Sequence, residues 1–261
     1  MLQNLFDSHG HYDDSRFDED RHELLLSMKD HGIVRLMNID NNTTANVAGI
    51  ELAKQYDFIY CTTGIHPDQS AEIYAQNSRA YLDVLAEQSK FEKCQAIGEI
   101  GLDYYYDDNA PRDIQKIIFE QQLALAKDLN LPVVIHSRDA AQDTLDLLKK
   151  YQPKGIVHCF SGSAEMAQEV VKLGMYVGFT GVITFKNARR AIEAASVVPL
   201  ERLLIETDCP YMAPEPFRGK RCDSTMVERM AMKLAEIKGI DAQQMADITC
   251  ENAFTVYNMQ R

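Results

Sequence analysis

Eight short apolar runs recur along the chain, separated by stretches of helical periodicity, and this alternation limits the fold more than any other feature. The runs are Leu5–His9, Ile33–Asn38, Phe58–Ile65, Gln95–Leu102, Pro132–His136, Gly155–Phe160, Met175–Thr180 and Leu203–Asp208. Several are continuously apolar, such as Val-Val-Ile at 133–135 and Leu-Leu-Ile at 203–205. That is the pattern of parallel strands covered on both faces. The clearest helical stretch opens at Pro111, a residue suited to a first turn. It carries Ile114, Ile117, Ile118, Leu125 and Leu129 near one stripe of a 3.6-residue period. A first helix runs from about Asp18 to His31 and stops at Gly32. From Cys222 onward two further helices break near Gly239-Ile240-Asp241. Strict alternation of this kind gives an α/β fold, either a (β/α)8 TIM barrel or a doubly wound open sheet. The 261 residues match the roughly 250 of a barrel, so a single domain over residues 1–261 is expected.

The polar residues choose between barrel and open sheet. Of seven histidines, His22 and His31 lie in the first helix and read as surface groups. The other five, His9, His11, His66, His136 and His158, sit at or just beyond the C-terminal ends of predicted strands. Glu99 and Asp208 do the same. In a (β/α)8 barrel those ends form one face, where active sites lie. An open sheet would hold the first and last strands apart and scatter the set. His9 and His11, two residues apart, share one side of an extended segment. Glu99 and Asp208 lie in apolar runs, where a carboxylate is costly to bury without a cation or hydrogen-bond partners.

Four imidazoles and two carboxylates suffice for two divalent ions, with Mg²⁺, Mn²⁺ and Zn²⁺ all compatible with the donor types. Glu99, central in strand order, is the expected bridge. His9, His11 and Asp208, from neighbouring first and last strands, complete one ion; His136 and His158 complete the other. Such a pair lowers the pKa of a shared water to give hydroxide near neutral pH and stabilises a leaving alkoxide. Asp208 is expected to help move the proton, with Glu206 behind it. The chain has no G-x-S-x-G elbow, P-loop or G-x-G-x-x-G motif for a competing mechanism.

A net charge of −12 argues against a protein that coats nucleic acid through a broad basic face. It is compatible with an enzyme holding a strand end at a small site, where bound cations reverse the local field. The six cysteines contain no C-x-x-C pair, and most of them read as small buried hydrophobes of a protein in a reducing cytoplasm. No apolar run approaches the roughly 20 residues that span a bilayer. The segment Asp7-Ser8-His9-Gly10-His11 begins so early that no cleavable signal peptide is expected before it.

Six segments together resemble a known family. They are Asp-Ser-His-Gly-His at 7–11, Gly-Ile-His-Pro at 64–67, Gly-Glu-Ile-Gly-Leu-Asp-Tyr-Tyr-Tyr-Asp at 98–107, Ile-His-Ser-Arg-Asp-Ala at 135–140, His-Cys-Phe-Ser-Gly-Ser at 158–163, and the stretch from Glu206 to Arg221. In order and spacing they are similar to the TatD-type metal-dependent deoxyribonucleases of the amidohydrolase superfamily, over nearly the whole chain. The resemblance implies a (β/α)8 barrel with one or two divalent metals, and DNA hydrolysis that is often 3′-to-5′ exonucleolytic on single strands. It implies His9, His11, Glu99, His136, His158 and Asp208 as metal ligands, with Glu99, Asp208 and His66 in catalysis. His66 and Arg138 would contact substrate phosphate, guanidinium forks being suited to that group.

Two positions depart from the family pattern. Many members read His-Pro-His where this chain has His66-Pro67-Asp68, and the loop after the last strand, commonly Arg-Gly-Lys-Arg-Asn-Glu-Pro, here continues Cys222-Asp223-Ser224. Tyr104, in the run Tyr104-Tyr105-Tyr106, is a candidate for stacking on a base. Arg218, with Lys220 and Arg221, follows the last strand and would overhang the metals. The expected partner is therefore a nucleic-acid end, with no membrane and no obligate protein partner. Hydrolysis of another ester or amide, such as aminoacylated RNA, is the second reading. A non-catalytic metal-binding scaffold is the third, and the full set of six ligand-type residues weighs against it.

Overall fold

The computed structural model of the chain describes residues 1–260. Its strands are β1 (Leu5–Gly10), β2 (Ile33–Asn38), β3 (Ile59–Thr63), β4 (Cys94–Asp103), β5 (Val133–Arg138), β6 (Gly155–Val157), β7 (Tyr176–Phe179) and β8 (Leu203–Ile205). They pair in parallel in chain order. The ring closes between β8 and β1 just past the paired residues. There the Asp208 N–H donates to the His9 carbonyl and the His11 N–H to the Cys209 carbonyl, both at 2.8 Å. Below these bonds the buried Asp7 carboxylate spans the same seam. It accepts from the Thr207 N–H at 2.9 Å, the Thr207 hydroxyl at 2.6 Å and the Ser224 hydroxyl at 2.5 Å. Burial lifts Asp7 to about 6, against the pull of these donors.

Around the barrel run α1 (Arg21–Ser27), α2 (Thr43–Gln55), α3 (Ser70–Ala75), α4 (Ala80–Gln88), α5 (Arg112–Leu129), α6 (Ala141–Tyr151), α7 (Ala164–Lys172), α8 (Arg189–Val197), α9 (Val227–Lys238) and α10 (Ala242–Val256). Strand side chains alternate between the two faces of the sheet. One set, Phe6, Met37, Ala96, Val134, Ile156, Tyr176 and Leu204, fills the barrel interior and is capped by Phe254 and Tyr257 at the end of the chain. Phe6 meets Phe254 edge-on at 5.4 Å and Tyr257 in a stack at 6.1 Å. The larger aliphatic and phenyl side chains of this set contribute about 1.5–3 kcal/mol each. The floor of the barrel is thus apolar and closed, which leaves the C-terminal mouth for polar chemistry.

The strand and helix order matches the sequence reading, and several boundaries differ. β6 and β8 stop at Val157 and Ile205, each three residues short of the predicted end. Soon after, the backbone turns left-handed at Cys159 (φ 41°) and Asp208 (φ 57°), which ends the extended geometry and sets both loops at the mouth. The first helix begins at Arg21, and its last turn tightens into a 3₁₀ segment, Met28–His31, before Gly32 at φ 76°. In α5 the apolar stripe is not the buried face: Ile117 and Leu129 are exposed. The buried side is Gln115, Ile118, Phe119, Gln122, Leu123 and Ala126, rotated by about a quarter turn at 3.6 residues per turn. The break between α9 and α10 falls where expected, at Gly239 (φ 66°), with the Asp241 side chain capping α10. No helix among the described residues is long and apolar enough to cross a membrane. Five of the six cysteines are buried.

Candidate metal centre and its mouth

The barrel brings all six sequence-predicted ligands together around Glu99. Its carboxylate rises from the middle of β4 into the mouth, and its two oxygens face different partners. Oε2 lies 3.4 Å from His9 Nε2 and 3.9 Å from His11 Nε2. Oε1 lies 2.8 Å from His136 Nδ1 and 2.6 Å from His158 Nε2. Asp208 Oδ1 joins the first group, 3.2 Å from His11 Nε2 and 3.7 Å from His9 Nε2. His9 and His11 face each other at 3.2 Å, and His136 and His158 at 3.4 Å.

The spacing within the first group suits a cation. Five separations among its four donor atoms span 3.2–3.9 Å. Donors about 2.1 Å from a common tetrahedral ion stand about 3.4 Å apart, since the edge of a tetrahedron is about 1.6 times its radius. Two imidazoles and two carboxylate oxygens at that spacing fit a first-row or alkaline-earth divalent ion. The second group offers three donors, with His66 Nε2 a further 3.8 Å from Glu99 Oε1.

The electrostatics divide the imidazoles. Burial, reinforced by His158 stacked 3.9 Å away, drives His9 down to about 3 and keeps it neutral. Burial also opposes charge on His11, but Asp208 and Glu99 raise it to about 9. Asp103 and Glu99 overcome burial in the same way at His136, also to about 9. Burial would raise the Glu99 carboxyl, yet His158, His136 and His9 hold it well below the usual range. Asp208 is likewise held low, mainly by His11, against its burial. Without metal, then, the centre stores protons on imidazoles that a cation must displace.

Residues behind the donors fix their orientation, and some of them escaped the sequence reading. Asp103, four residues after Glu99 on the same side of β4, accepts from His136 Nε2 at 3.0 Å. The even spacing in Gly-Glu-Ile-Gly-Leu-Asp was the available signal. Glu206 stands behind His158 rather than behind Asp208. Its Oε1 is 3.8 Å from His158 Nδ1 and accepts from the Cys159 N–H at 2.5 Å, while burial lifts it to about 7. The Asp68 carboxylate, where many family members carry histidine, lies 2.8 Å from His66 Nδ1, so His66 Nε2 is left facing Glu99. Two buried amides of α5 clamp the loops below. The Gln115 side chain bonds the Asp103 N–H and carbonyl at 2.8 and 2.9 Å. The Gln122 side chain does the same for Ile65, at 2.8 and 3.0 Å.

Above the donors opens a cavity of about 460 Å³. Arg138 lines it. Tyr104 does not: its hydroxyl is tied to Asp143 at 2.8 Å and Arg112 covers its ring, so it is a packing residue, and Tyr106 lines the cavity in its place. Arg218 is also outside the lining. Its guanidinium lies on the Phe185 ring at 4.4 Å, while Arg221 is drawn to Asp20 at 2.5 Å, so this basic loop does not overhang the donors. His22 is exposed, 2.7 Å from the Tyr56 hydroxyl, in keeping with its reading as a surface group.

Comparison with known proteins finds relatives that match along nearly the whole chain. A family model described as TatD related DNase matches residues 6–258. The chain is 40% identical over 258 residues to YabD of Bacillus subtilis (strain 168), described as a metal-dependent hydrolase, with 98% of this chain and 99% of that protein covered. It is 32% identical over 265 residues to the 3'-5' ssDNA/RNA exonuclease TatD of Escherichia coli (strain K12), covering 98% and 99%. The crystal structure of the TatD homolog YjjV from E. coli K12 superposes with a TM-score of 0.91 at 30% identity, over 100% of both chains.

Proposed function

The chain belongs to the family of TatD-related DNases, metal-dependent hydrolases on a (β/α)8 barrel, and from that membership we propose that it cleaves phosphodiester bonds at an end of single-stranded nucleic acid. The observation that carries the proposal is the division of Glu99, with one oxygen toward His9 and His11 and the other toward His136 and His158. In this reading the site would hold two divalent ions, of the Mg²⁺, Mn²⁺ or Zn²⁺ type, with Glu99 among the donors to both. His9, His11 and Asp208 would hold one, and His136 and His158 the other. When bound, such ions supply Lewis acidity and a hydrolytic nucleophile at neutral pH.

The chain's own groups do the rest. Arg138 places a guanidinium fork on a phosphate oxygen. His66, whose Nδ1 accepts from the Asp68 N–H at 3.3 Å, donates from Nε2 to a second oxygen. Asp208, ionised beside His11 and lining the cavity, accepts the proton of the attacking water. Asp103 and Glu206 hold His136 and His158 in place while charge moves.

The test is cleavage of 3′- and 5′-labelled single-stranded DNA and RNA by metal-stripped protein with Mg²⁺, Mn²⁺ or Zn²⁺ restored, and His136→Ala as control. Metal-dependent shortening that the variant loses is the expected result, and the label released first gives the polarity. Tight metal binding without cleavage of either nucleic acid would reject the proposal and turn attention to other esters and amides.

A further inference from the structure

Among the described residues four aromatic side chains are exposed: Tyr74 (48%), Tyr105 (55%), Tyr106 (51%) and Tyr211 (47%). Three of them belong to loops that rim the cavity, and Tyr106 and Tyr211 line it. Their placement is symmetrical. Tyr106 follows Asp103, the last residue of β4, by three positions, and Tyr211 follows Asp208, just past β8, by three. In a ring of eight strands paired in chain order, β4 and β8 are opposite one another. The two tyrosines therefore line the cavity from opposite sides of the barrel mouth.

Each ring is braced by a guanidinium. Arg138 stands 4.9 Å from the Tyr106 centroid, with its Nη1 donating to the Tyr106 hydroxyl at 3.1 Å. Arg16 stands 4.1 Å from the Tyr211 centroid, and the edge of Tyr211 meets His11 with centroids 6.3 Å apart. A cation beside a ring holds it in place, and both rings stay about half exposed. The charges of the cavity sharpen the point. Its lining carries Asp13, Asp14, Asp68, Asp103, Asp208 and Glu99, and away from the imidazoles of the donor groups Arg138 is its one basic side chain. A polyanion finds no basic track here, so its hold away from the metals must come from something other than phosphate attraction.

We propose that Tyr106 and Tyr211 are base-stacking platforms on opposite sides of the metal centre, gripping unpaired nucleobases that flank the scissile phosphate. The inference rests on the nuclease reading above and adds to it the groups that recognise the bases. Every base offers a π-face, so the grip is indifferent to sequence. Paired bases are already stacked, so it requires an unpaired end.

The experiment compares a ten-nucleotide oligothymidylate with a baseless deoxyribose-phosphate strand of the same length, both fluorescently labelled. Affinity is measured in EDTA, and KM on the oligothymidylate with Mn²⁺. Wild-type protein is expected to prefer the base-bearing strand by about tenfold or more. Tyr106→Ala and Tyr211→Ala should each remove most of that preference and raise KM, while Tyr106→Phe and Tyr211→Phe, which keep the ring, should retain it. Equal wild-type affinity for the two strands would overturn the platforms, as would phenylalanine variants that fall as far as the alanine ones. Cleavage by wild type with an unchanged KM in the alanine variants rejects the platforms and leaves the nuclease standing. Neither binding nor cleavage by wild type rejects both.

Discussion

Replacing Asp103 by asparagine changes one atom and has a definite expected cost. Both carboxylate oxygens of Asp103 are acceptors: Oδ2 lies 3.0 Å from His136 Nε2, and Oδ1 accepts from the Tyr105 N–H at 3.0 Å. The backbone beneath cannot swing away, because the Gln115 amide holds the Asp103 N–H and carbonyl. Asparagine has one acceptor oxygen, so in either rotamer an NH₂ group meets a donor. If it meets His136, the ring is driven to the tautomer protonated on Nδ1, the nitrogen 2.8 Å from Glu99, and loses the lone pair a metal needs. Loss of an orienting carboxylate behind a metal-ligating histidine costs about 10–100-fold in affinity, or about 1.4–2.7 kcal/mol. Calorimetric titration of the metal-free variant with Mn²⁺ should show that loss. Independently of metal, the His136 imidazole should titrate below the value of about 9 that Asp103 and Glu99 give it against burial. An Asp103→Asn protein with wild-type Mn²⁺ affinity and a His136 resonance still titrating near 9 would refute the reasoning.

Three further outcomes follow from the same geometry. Because His11 and His136 are both raised to about 9 in the metal-free protein, a cation must displace their protons. Mn²⁺ affinity should therefore rise with pH toward 9, about tenfold per unit for each proton released, and a flat profile between pH 6 and 9 would contradict the assignment. Gln122→Leu leaves the Ile65 N–H and carbonyl without partners in a buried site, and should lower stability to urea by about 2–4 kcal/mol and raise KM through His66. An unchanged unfolding midpoint would show that the clamp is dispensable. Asp7→Ala strips the acceptor from Thr207 and Ser224 across the β8–β1 seam and should cost about 3–5 kcal/mol, whereas a loss below about 1 kcal/mol would mean that the seam closes without it.

The parts of this fold that sequence makes legible are those with a period or a fixed place along a strand. Continuous apolar runs marked the parallel strands, and histidines at their ends marked the mouth. The face of α5 was misread because two glutamines occupy the buried side. Their burial is satisfied by loop backbone in Gln115 and Gln122, an arrangement that hydrophobic periodicity counts as exposed. The rim was harder still. Whether Tyr104 or Tyr106 faces the cavity depends on the hydrogen bond that ties Tyr104 to Asp143 on α6, and whether Arg218 reaches the donors depends on a loop that lays it on Phe185. Such choices are made by contacts between residues far apart in the chain, and local pattern carries no trace of them. Glu206 shows a middle case. Its spacing from Asp208 in the sequence suggested a partner for that residue, but the left-handed turn at Asp208 separates them and sends Glu206 toward His158.

The stitch between His9 and Asp208 also sets when the site can exist. The residues that tie β1 to β8 lie about two hundred positions apart, and two of them are donors of the same group. Contacts of such long range form late in folding, since the loop they close must first be ordered. The first donor group is therefore assembled by the final act of ring closure, and a chain that ends before Leu203 has only His9, His11 and one oxygen of Glu99 to offer. Competence and completeness coincide here: high-affinity metal uptake during refolding should lag behind the bulk of secondary structure and appear only as the circle shuts.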